Sequence, residues 1–301
     1  MLYKPRLLPI DLIKMRSLNA RMNLTPTERK YYLNREKGFE GEVMFDILTE
    51  KLESDCLILN DLLFEFNNTE FQIDTSMIFQ NTIILFDVKN YEGDYYIATD
   101  RFYTKSSEEI SNPLLQLERS HSLFRQLLKS IGFQMPVEAS LVFINPSFTL
   151  YQAPLDKPII FPTQVNHLMK KLNCIPSKLN YRHTKIAEKL VSLHKTKSRN
   201  ANLPDYEYGK LEKGFICGSC HSLSISVDEK KLVCENCGAE ETINAAIVRN
   251  VRELMFLFPD LKITTNLVQD WCKVIESKKT IRRVLKGKFK VIRNGKFLYF
   301  E

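Results

Sequence analysis

Residues 71–89, FQIDTSMIFQNTIILFDVK, constrain the fold of this chain more than any other stretch. Both arms are rich in Ile, Phe, Thr and Val, residues that favour strands. With Gln80-Asn81 as a two-residue turn, facing residues sum to 161 in number, so Asp74 stands opposite Asp87 and Gln72 opposite Lys89. Side chains alternate across a strand, which puts Gln72, Asp74, Asp87 and Lys89 on one face. A slip of one residue would scatter them.

The second arm, with Ile83, Ile84, Leu85, Phe86 and Val88, reads as a central strand covered on both faces. Two carboxylates aimed at one spot there can hold a hard divalent cation such as Mg²⁺ or Mn²⁺. Such a cation polarises a phosphoryl oxygen and lowers the pKa of a bound water, and a neighbouring lysine can orient that water. The alternative is a plain Asp/Lys ion pair on a hairpin.

Four further motifs set the context. GFEGE at 38–42 precedes the hairpin, DVKN at 87–90 ends it, and Gly93 and NPLLQ at 112–116 follow. In this order, with QID at 72–74, they resemble the nuclease-related domain (NERD), a branch of the PD-(D/E)XK nuclease superfamily, over residues 36–150. The resemblance implies Asp74 and Asp87 as metal ligands, Lys89 as the catalytic lysine and Glu42 as a helix-borne acid; Gln72 and Gln116 are candidate supporting residues, with a capping or solvated glutamine the alternative for Gln116. Ile73 stands where the superfamily name has proline, and Asp87 where the domain more often has glutamate.

The 301 residues leave room for two or three domains, and 44% hydrophobic content is enough for real cores. A formal net charge of +7 favours an anionic partner, nucleic acid first, with a membrane surface also open. Pro9 and Asp11 interrupt the apolar start, and no later run is long enough to span a membrane, so a cytoplasmic protein without membrane insertion is expected. The seven cysteines are an odd number, and four of them sit in CxxC pairs, which suits a metal in a reducing compartment.

Along the chain, residues 1–35 read as a basic arm and 36–175 as the nuclease-like domain. Phe39, Val43, Ile47, Leu48 and Leu52 predict a helix from residue 36, with Gly38 and Gly41 letting it approach the sheet. Glu40 falls inside that apolar arc and Glu42 at its edge, so only the resemblance chooses Glu42. A short hairpin follows over 94–105. Then comes a helix capped by Asn112, with Pro113 at its first position, and a strand over 137–144. The order helix, three strands, helix, strand is that of a PD-(D/E)XK core, a mixed sheet flanked by helices. His121 reads as a satisfied core histidine. Residues 176–214 read as a basic helical linker, open to a DNA-backbone contact.

Cys217-Gly-Ser-Cys220 and Cys234-Glu-Asn-Cys237 resemble a zinc ribbon at 215–240, its four thiolates closing a structural Zn²⁺ site. A redox dithiol is the alternative. Cys56, Cys174 and Cys272 read as buried thiols. Residues 241–301 predict helices over 241–258, 265–277 and 279–286, then a hairpin turning at Asn294-Gly295, an order similar to a winged-helix module. Residues 278–296 carry nine Lys/Arg and no acid. Lys279, Arg282, Arg283, Lys286, Lys288, Lys290 and Arg293 are therefore the expected DNA contacts, with a solvated basic face the alternative.

The expectation is an α/β protein: a metal-dependent nuclease hydrolysing DNA phosphodiester bonds, with zinc-ribbon and basic modules that hold DNA. A non-catalytic nucleic-acid-binding protein on the same fold is the alternative, and a surface adaptor a third.

Overall fold

The structure, a computed structural model, describes residues 1–197, 199, 202–229, 231–275, 277–295 and 297–301. Its elements begin with β1 (Leu2–Lys4), α1 (Ile10–Arg21) and α2 (Pro26–Thr49). Three longer strands follow, β2 (Leu57–Phe66), β3 (Thr69–Ile78) and β4 (Ile83–Lys89), then β5 (Gly93–Ala98), β6 (Arg101–Thr104) and β7 (Glu109–Ile110). Next come α3 (Pro113–Ser130), β8 (Val137–Phe143), β9 (Phe148–Tyr151), β10 (Ile159–Ile160), α4 (Val165–Asn173) and α5 (Tyr181–Leu193). The remainder is β11 (Ile225–Asp228), β12 (Lys231–Cys234), β13 (Glu240–Thr242), α6 (Ile243–Leu257), α7 (Thr265–Cys272), α8 (Lys278–Lys288), β14 (Val291–Asn294) and β15 (Phe297–Phe300). These elements fall into two compact units, Met1–Leu7 with Asn34–Asn200 and Leu8–Leu33 with Ala201–Glu301.

The first unit is built on a mixed sheet in the order β1-β2-β3-β4-β8-β10. β2, β3 and β4 are antiparallel, whereas β8 lies parallel to β4. Helix α3 starts where Asn112 Oδ1 accepts from Leu114 N at 2.9 Å and Pro113 supplies the first position. Its Phe124, Leu127 and Leu128 pack with Ile83 and Leu85 on one face. Phe45 of α2 and Leu172 of α4 pack with Ile84, Phe86 and Val88 on the other. Covering β4 on both sides accounts for its unbroken apolar run.

Several expectations change here. Residues 1–35 are not one arm: β1 pairs in parallel with β2, while Leu18 of α1 lies in the core of the second unit. In α2 the packed stripe is not Phe39, Val43 and Ile47. Phe45 and Thr49 are fully buried, Ile47 is 50% exposed, and Glu40 is exposed. The stripe also holds Gly41 and Asp46, so counting apolar residues rotates the face away from the true one. Of the two glycines only Gly41 makes a close approach. A Cβ there would fall 2.4 Å from Asn90 Cβ, whereas at Gly38 it would meet nothing within 4 Å.

Nor is the basic stretch after residue 176 a linker throughout. Asn180 caps α5, and Ile186, Ala187 and Leu190 enter the core beside β2. Two cations that follow it are paired: Lys195 Nζ lies 2.6 Å from Glu65 and 3.3 Å from Glu70, and Arg199 lies 2.8 Å from Glu65. Part of the expected boundary, Asn200 and Ala201, lies outside the described residues. Cys174, expected buried, is exposed because it ends α4; Cys56 and Cys272 are buried.

In the second unit β11, β12 and β13 form a small antiparallel sheet. Helices α6, α7 and α8 enclose Trp271, with Ile247, Val251 and Leu285. Arg21, fully buried, stacks 4.0 Å over the Trp271 ring and donates to Glu253 at 2.7 Å. Helix α7 stops at Cys272, short of Ser277, because Lys273 takes a left-handed φ of 56°. The β14–β15 ladder runs to Asn294↔Phe297, so Asn294, expected in the turn, belongs to the strand. Lys296 lies outside the described residues.

Candidate functional site

The β3–β4 register is the one the turn predicts: Thr75↔Phe86, Ser76↔Leu85, Met77↔Ile84 and Ile78↔Ile83. The ladder ends there because Asp74 continues it with its side chain, Oδ2 accepting from Val88 N at 2.8 Å. That bond holds Asp74 beside the end of β4, where Asp87 and Lys89 stand. Asp87 is 8% exposed, and Lys89 Nζ lies 2.6 Å from its Oδ1. That contact is a close ion pair, which gives the buried carboxylate its counter-charge. Lys89 also donates to Gln116 Oε1 at 3.2 Å, bringing α3 to the group.

Gln72 lines one void with Asp74 and Asp87, as expected, but bonds elsewhere. Its amide donates to Asp61 Oδ1 at 2.9 Å rather than facing Lys89. Asp61 takes a left-handed φ of 53°, and the β2–β3 ladder skips from Asn60↔Thr75 to Leu62↔Ile73 around it. Gln72 pairs with Leu63, so Asp61, two residues back on β2, is its diagonal neighbour on the same face. His121 is satisfied, with Nε2 2.9 Å from the Val137 carbonyl, yet it borders a void of about 10 Å³ that Asp74 and Asp87 also line.

Glu42 lies on the other side of Asp74. Arg6, a residue that sequence reasoning missed, donates to Glu42 at 2.5 Å, to Asp46 at 2.8 Å and to the Asp74 carbonyl at 2.7 Å. The only sequence signal for it is that Glu42 and Asp46 stand one turn apart on α2 and require a buried cation. Asn90 fixes the same helix, donating to the Lys37 carbonyl at 2.8 Å against Gly41.

Burial pushes the Glu42 carboxyl up to about 8, with the charge of Asp74 adding and Arg6 opposing. Burial likewise raises Asp87 to about 6, against the pull of Lys89. Burial alone would lower Lys89, but the charges of Asp87 and Asp74 outweigh it and hold the ammonium above its ordinary range. Carboxylates gathered in a buried place, where burial disfavours their charged forms, have the chemistry of a site that could take a cation.

The cysteines form a second centre. Cys217, Cys220, Cys234 and Cys237 bring their sulfurs within 4.8 Å of one another, a group able to hold a metal ion. Cys217 and Cys237 are 3.7 Å apart and Cys220 and Cys234 3.5 Å, close to the ~3.8 Å edge of a tetrahedron with 2.3 Å metal–sulfur bonds. Asn236 and the Ser222 backbone donate to Cys220 and lower its thiol to about 6, favouring the thiolate.

The seven expected DNA contacts are all exposed, five on α8 and Lys290 and Arg293 beyond it.

Residues 37–144 match the family model of the nuclease-related domain. That span runs from α2 through β8 and contains Glu42, Asp74, Asp87, Lys89 and Gln116. A match to a nuclease-related domain suggests nucleic-acid interaction and the use of divalent metal. No curated protein matches the chain, and no solved structure does. Among the described residues no helix is long and apolar enough to cross a membrane.

Proposed function

We propose that the chain is a metal-dependent nuclease of PD-(D/E)XK type that hydrolyses DNA phosphodiester bonds. The observation that carries this reading is the buried Asp87 carboxylate, paired with Lys89 at 2.6 Å beside Asp74 within the nuclease-related span. Asp74 and Asp87 are the residues to hold Mg²⁺ or Mn²⁺, which when bound polarises a phosphoryl oxygen and acidifies water. Lys89 orients the attacking water and offsets phosphate charge, while Gln116 steadies the ammonium. Glu42, held by Arg6, fixes the charge balance around Asp74. The cysteines take one structural Zn²⁺ as a zinc ribbon, and residues 241–301 act as a winged-helix-like module holding DNA through its exposed cations.

The test is cleavage of linear and circular DNA with added Mg²⁺ or Mn²⁺, comparing wild type with Asp87→Ala and Lys89→Ala after checking that all three melt alike. Loss of cleavage in both variants supports the site, and unchanged cleavage sinks it.

A second reading has its own support. Arg6 already neutralises Glu42, and Lys89 already neutralises Asp87, so the cluster can serve as internal structure in a protein that only binds DNA. That protein would bind DNA with strong salt dependence and cut none of it.

A further inference from the structure

The second unit contains a cavity of about 840 Å³ that hydrolysis does not use, walled by α1, the first cysteine knuckle, α6 and α8. Val248, Phe256 and Val284 give it an apolar wall, with Phe256 41% exposed. Arg252, Arg283 and Lys288, all exposed, edge it. The single acid among its lining residues, Glu253, is already held by Arg21 at 2.7 Å. The cavity therefore joins an apolar surface to an excess of positive charge.

We propose that this cavity receives one unpaired nucleotide of a nucleic-acid strand, its base against Val248 and Phe256 and its flanking phosphates on Arg252, Arg283 and Lys288. The inference rests on the nucleic-acid reading of the basic module and adds to it a preference for unpaired strand. A flat aromatic base needs an apolar or aromatic wall, and its phosphates need cations at the rim. Guanidinium groups suit phosphate because they offer paired donors in a rigid fork. Helix α8 divides its cations: Arg283 and Lys288 border the cavity, whereas Lys279, Arg282 and Lys286 lie outside its lining. Those three extend the positive track beyond the cavity, as a continuing backbone requires and a free nucleotide does not. A base stacked within a duplex cannot enter without leaving the stack.

Gly287 supplies the test. It lines the cavity, and a Cβ built on it meets nothing within 4 Å, so Gly287→Leu fills the space without a clash at its Cβ. Leucine also suits a helix better than glycine. The measurement is fluorescence anisotropy of a labelled single strand of about 20 nucleotides and of the matching blunt duplex, at about 0.1 M salt without added divalent metal. The wild-type full chain is expected to bind the single strand about tenfold more tightly than the duplex, the scale of one stacked base. Gly287→Leu should lose that preference and keep its duplex affinity. Arg252→Ala with Arg283→Ala, at exposed positions, should lose it too. Lys279→Ala with Lys286→Ala should weaken both substrates by the same factor. A Gly287→Leu protein that melts like wild type and keeps the preference overturns the proposal while leaving the nuclease reading intact. Displacement of the strand by micromolar dAMP would assign the cavity to a free nucleotide and also overturn it. Binding of neither substrate would remove the basic-module reading together with this one, and cleavage at Asp87 would still be decided by its own assay.

Discussion

Arg6 donates to Glu42 at 2.5 Å across 36 positions of sequence, with 3% of its own side chain exposed. Removing one partner of a buried pair strands the other, so Arg6→Ala should cost about 3 kcal/mol. Replacing Glu42 by Gln in the same protein should recover part of that loss. Urea unfolding of the two variants checks both statements, and an Arg6→Ala protein as stable as wild type would contradict them.

Gly41 and Gly38 make an internal comparison on one helix. Gly41→Ala forces a methyl against Asn90 and should destabilise the first unit by about 1–3 kcal/mol, the usual range for overpacking. Gly38→Ala enters open space and should stabilise α2 by roughly 0.5–1 kcal/mol. Melting temperatures moving in opposite directions are the expected outcome.

Zinc content is a direct count. The purified chain should release one equivalent of Zn²⁺ when its thiols are titrated with a mercurial. Cys220→Ser and Cys234→Ser should each lower the bound metal and the melting temperature of the second unit. Full metal content in both variants would exclude the four-cysteine site.

Cys272 is fully buried, and burial pushes its thiol up to about 12 from an ordinary 9.0. A group whose folded pKa is raised contributes stability that is complete below its unfolded pKa and lost as pH rises through the folded value. The second unit should therefore lose stability between about pH 9 and pH 12, and Cys272→Ala should flatten that slope. In native protein at neutral pH, iodoacetamide followed by mass spectrometry should label exposed Cys174 and spare Cys56 and Cys272.

The β3–β4 register was legible because a two-residue turn fixes every pair after it, and the closeness of Asp87 and Lys89 follows from alternation alone. Gln72 was not, because the β3–β4 ladder stops at Thr75↔Phe86, which leaves Gln72 free to bond Asp61 on β2. The site-facing edge of α2 was hidden for a related reason: Gly41, Asp46 and Thr49 are buried there and look polar or empty to a hydrophobic count. Arg6 is a long-range partner, and local pattern carries no signal of such a partner. For α5, charge outweighed Ile186, Ala187 and Leu190 in the reading, although those three decide where the helix goes.

Both units are assembled from two separated pieces of chain, which matters on the ribosome. Arg21 emerges early, and its partner Glu253 follows 232 residues later. At about 5–20 residues per second the wait is on the order of 10–50 seconds. During that interval α1 has no core to join, so the second unit cannot be completed until Glu253 has emerged. Expression of residues 36–175 alone would omit both β1 and Arg6, leaving Glu42 and Asp46 without their cation. A fragment trimmed to the family match is therefore a different protein from the first unit, and an inactive fragment would say nothing about the full chain.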